Sequence, residues 1–390
     1  MRVCHVSPHL PPDQAANAIL PAQLGEWSAA AGHDVTFITQ APAQGRDVST
    51  SLPGRVRRLT TRRSTSSLLR TLRIDTWRRT REITAALDDL AQGADVLHLH
   101  SNGLIIEVAA RWARRHNVPF VLTLYGTEIW HYKPRWPIDP FTRAYRTAGE
   151  VTFYSQRLLD RGRELGLDRP GLSVVYPAVS RAFSPIDATL RAKWRSSLGI
   201  SEPIVLLNVK RLHELAGQTY LVDAFARMAE KRQDVRLVIC GTGPLREPLE
   251  AQAKAAGVAG KTTFTGLVGN DEVARYAAIA DLFVLPSLLE ALPTVAVEAL
   301  AAGTPVVSAD HPGGIELGGI FGDDVAVVPK QNVAALQAAL EGAIQQPRRT
   351  RPSTQAILEE RFSPEAVERA YMAVYGRLVK PSALSDTIVR

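Results

Sequence analysis

The sequence has very little cysteine and no long hydrophobic run. Its 390 residues include two cysteines, Cys4 and Cys240, each within a short apolar stretch typical of a strand. We therefore interpret both as small buried hydrophobic residues rather than as a disulfide pair. No apolar run approaches the ~20 residues of a membrane-spanning helix. The apolar stretch within residues 1–7 is too short for a signal peptide, so we expect a cytoplasmic protein.

Motifs for several kinds of chemistry are also missing. The sequence contains no Asp-x-Asp motif, no phosphate-binding P-loop and no Gly-x-Ser-x-Gly nucleophile motif. His98 and His100 alternate along a predicted strand, but no third ligand lies close to them in sequence. We therefore expect no metal site and no cofactor.

The sequence does have an excess of arginine. The formal net charge is +7, and much of the excess lies between residues 55 and 81, at Arg57, Arg58, Arg62, Arg63, Arg70, Arg73, Arg78 and Arg79. We interpret this segment first as the solvated face of a helix. A patch that faces an anionic membrane or an anionic acceptor is the alternative. Nucleic-acid binding ranks below both, because no series of stacking aromatic residues is interleaved with the arginines.

The length and the hydrophobic pattern predict two α/β domains. A chain of 390 residues exceeds one ordinary domain. Short apolar runs alternate with helical patterns, which predicts doubly wound parallel sheets covered by helices. The predicted strands are 3–6, 33–39, 95–100, 120–124, 173–176, 204–209, 236–240, 264–265, 282–285 and 306–308. We place the domain junction near residue 180 and predict a last helix over residues 364–378.

Residues 281–300 combine a buried strand, a loop and a helix. The strand ends at Pro286, and we expect a helix to start at Pro293, where a missing N–H has no cost. The free N–H groups and the helix dipole form an anion site that fits a diphosphate. Thr294 adds a hydroxyl and shares a helix face with Glu298, whose carboxylate can accept the vicinal hydroxyls of a ribose. Glu290, in the loop, can bind sugar hydroxyls. The alternative is that both glutamates are ordinary surface charges.

This segment resembles the Glu-x7-Glu signature of family 4 glycosyltransferases, which are retaining enzymes with the two-domain GT-B fold. The similarity continues through residues 299–308 and Gly313-Gly314, and it extends to residues 32–36, 95–98, 241–244, 264–268 and 280–287. The resemblance implies two Rossmann-like domains that face each other across a cleft. Residues 1–180 would form the acceptor domain and residues 181–363 the nucleotide-sugar domain. The helix near 364–380 would pack back on the first domain.

The resemblance also implies roles for individual residues. Glu290 and Arg211 would be catalytic. The donor, a nucleoside diphosphate sugar and by expectation a UDP-sugar, would contact Lys210, Arg211, Gly241, Val268, Glu290, Leu292, Pro293, Thr294 and Glu298. The acceptor side would include Asp13, Ala16, Tyr125 and Glu128.

Three positions depart from the family pattern. Ala216 stands where the family carries a phosphate-binding lysine, so Lys210 or His213 would have to supply that charge. Ala15-Ala16 replaces a Gly-Gly pair, which restricts close backbone approach. Tyr125 replaces a histidine and cannot act as a base at neutral pH. The aromatic loop 128–136 could form an acceptor wall or pack on the neighbouring helix.

The predicted activity is transfer of the sugar to a hydroxyl group in the assembly of cell-envelope polysaccharide or glycolipid, with peripheral contact to the inner face of an anionic membrane. Glycosylation of a natural product such as an aminoglycoside antibiotic is an alternative. Asp13, Glu107 and Glu128 are then candidates for binding a cationic acceptor. Further alternatives are a GT-B epimerase or phosphorylase and a non-catalytic nucleotide-sugar-binding protein. The sequence leaves the oligomeric state open.

Overall fold

The computed structural model describes residues 1–13, 16–42, 52–60, 74–134 and 139–379. The chain forms two compact units, of which the first combines residues 1–176 with the segment from Val367 onwards, and the second contains residues 177–366. No helix among the described residues is long and apolar enough to cross a bilayer.

The first unit is built on a seven-stranded parallel sheet with the strand order β3-β2-β1-β4-β5-β6-β7. Buried aliphatic residues on β1, β4 and β5 and on the covering helices form its main core. Its elements are β1 Arg2–Ser7, α1 Ala16–Ala30, β2 Asp34–Gln40, β3 Arg55–Leu59, α2 Ile74–Leu90, β4 Val96–His100, α3 Leu104–Arg115, β5 Phe120–Leu124, α4 Thr127–Trp130, α5 Pro140–Thr147, β6 Glu150–Phe153, α6 Gln156–Glu164 and β7 Leu172–Val174.

The second unit is built on a six-stranded parallel sheet with the order β10-β9-β8-β11-β12-β13. The two sheets confirm the predicted α/β class of two Rossmann-like halves. The elements are α7 Ala188–Ser197, β8 Ile204–Val209, α8 Gln218–Lys231, β9 Val235–Cys240, α9 Arg246–Ala255, β10 Thr262–Gly266, α10 Asn270–Ile279, β11 Leu282–Leu285, α11 Thr294–Ala301, β12 Val306–Ala309, α12 Pro312–Phe321, β13 Val325–Val328, α13 Val333–Gln345, α14 Pro352–Arg361 and α15 Pro364–Leu378, with 3-10 turns at Glu214–Ala216, Ala259–Lys261 and Gly322–Asp324.

The interpretation of the arginine-rich segment as a solvated helix face is wrong for Arg57 and Arg58. Arg57 and Arg58 lie on β3, which pairs with β2 at the edge of the first sheet. An edge strand accommodates such charges because one of its sides is unpaired. Arg78 and Arg79 do lie on helix α2. The remaining four, Arg62, Arg63, Arg70 and Arg73, lie outside the described residues.

The last helix, α15, packs two tyrosines against the first sheet. Tyr371 and Tyr375 are fully buried. The Tyr375 hydroxyl lies 2.7 Å from Nδ1 of His98, and Arg377 donates two hydrogen bonds of 2.9 Å to the Glu150 carboxylate. These contacts hold the chain from Val367 onwards in the first unit, although most of its sequence neighbours belong to the second.

Strand pairing places His5 beside His98 and His100, although it lies far from them in sequence. His5 on β1 is the register partner of His98 on β4, and ring nitrogens of His5, His98 and His100 lie within 4.8 Å of one another. The rings of His98 and His100 stack, with centroids 3.9 Å apart. Nδ1 of His5 is 3.1 Å from Nε2 of His100, and Nδ1 of His100 is 2.8 Å from the Tyr125 hydroxyl.

This cluster is held in the neutral state by burial. Desolvation lowers the pKa of His5 to about 3, and it lowers the pKa values of His98 and His100 well below their usual range. Hydrogen bonds stabilise the neutral rings. For example, Nε2 of His98 lies 2.6 Å from the Thr123 hydroxyl. The cluster is a buried network of neutral rings bonded to one another, to Thr123 and to tyrosines.

Acid should therefore destabilise the first unit. The unfolded histidines ionise near pH 6.5, whereas the folded ones resist protonation, so the unfolded state binds more protons as the pH falls. The free energy of unfolding should decrease below pH ~6.5 by about 1.4 kcal/mol per pH unit for each histidine. Urea unfolding of the wild type at a series of pH values between 8 and 5 measures this slope.

The control removes one histidine from the cluster. His5→Asn keeps a polar group near His100. It should reduce the slope by about 1.4 kcal/mol per pH unit, because the unfolded state then binds one proton fewer. His131→Asn, at an exposed position, should leave it unchanged. Equal slopes for His5→Asn and the wild type would contradict the burial account.

Candidate functional site

The candidate site lies at the carboxyl ends of β8 and β11, which are neighbours in the second sheet. The two loops that follow these strands are packed together. The N–H of Leu288 donates to the carbonyl of Leu215 over 2.8 Å. A Cβ at Gly217 would stand 2.1 Å from the carbonyl oxygen of Pro286, so only glycine fits there. The loop after β8 is therefore fixed beside the segment that leads to Glu290.

Lys210 and Glu290 form an ion pair at this edge of the second sheet. Nζ of Lys210 lies 2.5 Å from Oε1 of Glu290, and both side chains are partly buried, with 23% and 17% exposure. The loop after β9 supports Lys210, since a Cβ at Gly241 would come within 2.1 Å of the Lys210 carbonyl oxygen. Gly241, named in sequence as a donor contact, thus has a structural role in holding Lys210 in place.

Helix α11 begins one residue later than expected. Pro293 occupies the N-cap position and the helix starts at Thr294, because the Pro293 carbonyl already accepts the N–H of Ala296 over 3.0 Å. No side chain caps this helix. The N–H groups of Thr294 and Val295 therefore have no partner within the helix and carry its positive dipole end.

A second helix start braces this loop. The N–H of Gly313 donates to the Glu290 carbonyl over 3.0 Å. A Cβ on Gly313 would stand 2.7 Å from Cδ of Pro293, and one on Gly314 would stand 2.2 Å from the carbonyl oxygen of Ala309. Gly313 is thus required for packing the start of α12 against the 290–293 loop, and Gly314 for packing it against the end of β12.

Glu298 is a partly buried carboxylate without a counterion. It lies one turn after Thr294 on α11, and burial raises its pKa to about 7. No hydrogen bond or ion pair reaches its side chain from any other residue that the structure describes. A carboxylate in this state gains from hydroxyl donors that a ligand brings.

The region around the missing lysine retains other cationic groups. Ala216 is completely buried in the 3-10 turn that follows β8. Arg211 is exposed and His213 is partly buried. Burial, and after it the charges of Lys210 and Arg211, lower the pKa of His213. The neutral form of His213 is thereby favoured, which leaves Lys210 and Arg211 as the permanent positive charges.

Three buried polar residues at this edge were not identified from the sequence as site residues. Within the described chain, Oγ of Ser287 and Oε1 of Gln218 are buried and have no hydrogen-bond partner. Nδ1 of His311 accepts the N–H of Gly314 over 2.9 Å, which caps α12. Burial and the nearby charge of Lys210 lower the pKa of His311 to about 4. Only the Pro-Gly-Gly run after His311 signals such a cap in sequence.

The remaining donor candidates surround this centre. Leu292 is buried, and Val268 is partly buried in the loop after β10. That loop joins the end of β9 through a 2.8 Å hydrogen bond from the N–H of Gly241 to the carbonyl of Gly266. Sheet order therefore places Gly241 and Val268 on one side of Lys210, at the end of β8, and Glu290 on the other.

The four acceptor-side candidates lie in the first unit. Asp13 pairs with Nδ1 of His9 at 2.9 Å, and Ala16 is the first residue of α1. The Tyr125 hydroxyl bonds His100 in the buried network. Glu128 is 4% exposed and accepts the N–H of Gly126 over 2.8 Å.

The aromatic loop near Glu128 shows the packing alternative. Trp130 and Tyr132 pack against the core of the first unit. Trp136 lies outside the described residues.

Comparisons with known proteins match both halves of the chain. Residues 21–178 match the model of the "Glycosyl transferase 4-like domain", and residues 191–363 match the model of "Glycosyl transferases group 1". The chain is 30% identical over 229 residues to the 2-deoxystreptamine glucosyltransferase of Streptomyces kanamyceticus, covering 55% of this chain and 59% of the relative. It is 31% identical over 242 residues to the GDP-mannose-dependent alpha-(1-6)-phosphatidylinositol monomannoside mannosyltransferase of Mycolicibacterium smegmatis, covering 59% and 62%. The match thus spans about three fifths of these relatives.

A solved structure shares the fold over nearly the whole chain. The crystal structure of Anabaena HepE in complex with UDP superimposes with a TM-score of 0.78 and 18% identity, and it covers 97% of this chain and 100% of that protein. The likeness confirms the predicted GT-B class of two Rossmann-like sheets.

The unpartnered state of Glu298 predicts a pH-dependent affinity for a ligand that brings hydroxyl donors to its carboxylate. Such donors favour the ionised form, so binding should strengthen as the pH rises through about 7. The affinity for UDP-glucose should increase roughly tenfold between pH 6 and pH 8. Calorimetric titration of the wild type at these two pH values measures the change.

Glu298→Gln tests whether this carboxylate is responsible. The variant should bind more weakly at pH 8 and lose the pH dependence, whereas Glu247→Gln, an exposed position on α9, should behave as the wild type. Retention of the full pH dependence by Glu298→Gln would contradict the assignment.

Proposed function

The chain belongs to the family 4 glycosyltransferases, and we propose that it transfers a sugar from a UDP-sugar to an acceptor hydroxyl with retention of the anomeric configuration. The observation that carries this proposal is that three features lie together at one edge of the second sheet. These are the Lys210–Glu290 ion pair, the uncapped start of α11 and the unpartnered carboxylate of Glu298.

The diphosphate is assigned to the start of α11. The N–H groups of Thr294 and Val295 supply donors, the Thr294 hydroxyl supplies another, and the helix dipole favours negative charge. From there Glu298, one turn along the helix, accepts the two hydroxyls of the ribose. The loop at Val268 contacts the base. The crystal structure of HepE in complex with UDP supports UDP as the donor nucleotide, by analogy of fold alone.

Lys210 and Glu290 act on the two sides of the bond that breaks. Glu290 accepts hydroxyls of the donor sugar, and Lys210 holds Glu290 in place while its own charge faces the leaving diphosphate. Arg211 contributes a second, more exposed charge. The bond between the anomeric carbon and the diphosphate oxygen breaks, the acceptor oxygen forms the new bond, and its proton passes to the leaving phosphate. No protein nucleophile is needed in this scheme.

Two classes of acceptor are consistent with the relatives. One relative is named for a phosphatidylinositol mannoside, which supports a role in the cell envelope at the inner face of the membrane. Another is named for 2-deoxystreptamine, which supports an aminocyclitol acceptor. A cavity in the first unit that is lined by Asp75, Glu107, Glu128 and Asp139 favours the second class.

Sugar transfer is tested by acceptor-dependent release of UDP. Incubation of the chain with UDP-sugars and a panel of acceptors should release UDP only when an acceptor is present, and NMR of the product should give the same anomeric configuration as the donor. Release of the sugar 1-phosphate, or conversion of the UDP-sugar without an acceptor, would identify a phosphorylase or an epimerase instead. Binding of donor with no turnover on any acceptor would identify a binding protein.

Lys210 should replace the lysine that is missing at Ala216. Lys210→Ala should lower kcat about 100-fold, because stabilisation of the leaving diphosphate is lost, and Lys210→Arg should restore part of it. Lys193→Ala, an exposed lysine on α7, is the matched control and should keep full activity. Wild-type donor affinity and turnover in Lys210→Ala would refute this role.

A further inference from the structure

The first unit contains a cavity of about 600 Å³ at the carboxyl ends of β4 and β5. In parallel α/β sheets, ligands bind outside this edge. The starts of α2, α3, α4 and α5 surround the cavity, and its volume lies in the range of small-molecule sites. Its charged lining residues are Asp75, Arg79, Glu107, Glu128, Lys133 and Asp139.

The lining has an excess of negative charge. Among the lining residues that the structure describes, four carboxylates stand against two cations. Lys133 is exposed to solvent. This lining favours a cationic ligand over a neutral one.

Glu128 and Asp139 hold the starts of two helices. Glu128 accepts the N–H groups of Tyr125 and Gly126, at 3.3 and 2.8 Å. Asp139 caps α5 by accepting the N–H of Thr142 over 3.3 Å. These two acids neutralise helix starts, as acids in a first helical turn commonly do. They contribute negative charge to the cavity, but they do not require a ligand.

Asp75 has no such partner. It is 8% exposed and lines the cavity, and no hydrogen bond or ion pair joins it to another residue in the described part of the chain. The carboxylate therefore has free acceptor positions at the cavity, which a protonated amine can fill with charge-assisted hydrogen bonds. Glu107, in the first turn of α3, extends the acidic wall beside it.

We propose that this cavity binds the acceptor, and that the acceptor is a compact polyol with a protonated amino group that pairs with Asp75. The proposal rests on the proposed function, since it names the acceptor class of that transfer. A polyol of this kind presents the hydroxyl that receives the sugar, and its amine selects it over neutral sugars. Asp75 acts here as a specificity-determining residue.

The test measures binding of two probes of matched shape to the full chain in the presence of UDP. The probes are the diaminocyclitol 2-deoxystreptamine and myo-inositol, which carries only hydroxyls. The diamine should bind, more weakly as ionic strength rises, and myo-inositol should not. Asp75→Asn should weaken binding of the diamine about tenfold, as loss of one charge-assisted hydrogen bond does. Asp89→Asn, an exposed acid on the same helix, should bind it as the wild type does.

Two results would overturn the proposal: equal binding of the diamine by Asp75→Asn and the wild type, or equal binding of the two probes by the wild type. The affinity of each variant for UDP-glucose separates this outcome from failure of the proposed function. If UDP-glucose binds and its sugar is transferred only to neutral acceptors, the acceptor assignment fails and the transferase function stands. If UDP-glucose does not bind, the transferase function itself fails. An unchanged circular dichroism spectrum and urea unfolding curve of Asp75→Asn verify that the first unit of the variant is folded.

Discussion

The parallel pairing of β8 with β11 is the constraint on which the candidate donor site depends. It sets the carboxyl ends of two strands side by side, so that Lys210 after β8 meets Glu290 after β11 at 2.5 Å. Neither side chain could hold this position alone, because each lies on a loop. Gly217, Gly241 and Gly313 make the loops pack closely enough, since a Cβ at any of them would clash with a neighbouring residue. The site is thus a consequence of strand order and close backbone packing.

The two units differ in how their ionisable groups are held. In the first unit, burial keeps His5, His98 and His100 neutral, and hydrogen bonds join His5 to His100, His98 to Tyr375 and His100 to Tyr125, while Nε2 of His5 has no partner among the described residues. In the second unit, Glu298 is partly buried without any hydrogen bond from a described residue, and the Ser287 hydroxyl is buried without one. A carboxylate without a partner one turn from a helix start indicates where a ligand binds.

Much of this could be predicted from the sequence, and the rest required strand order. The βαβ rhythm and the span from Glu290 to Glu298 predict the sheets and the donor segment, because they are local patterns. His5 and His98 are register partners although they lie 93 positions apart in sequence. Lys210 and Glu290 form an ion pair although they lie 80 positions apart. No local sequence pattern predicts either contact. The edge strand β3 was missed because its arginines resemble a helix face. Asp75 carries no signal in sequence, since its burial depends on four helix starts that meet.

A crystal structure of the chain with bound UDP-glucose shows directly whether the donor binds at the start of α11. We expect the phosphates to contact the N–H groups of Thr294 and Val295, the ribose hydroxyls to contact Glu298, and Lys210 to approach the diphosphate. A nucleotide bound elsewhere on the second sheet, with Glu298 still unpartnered, would contradict this expectation.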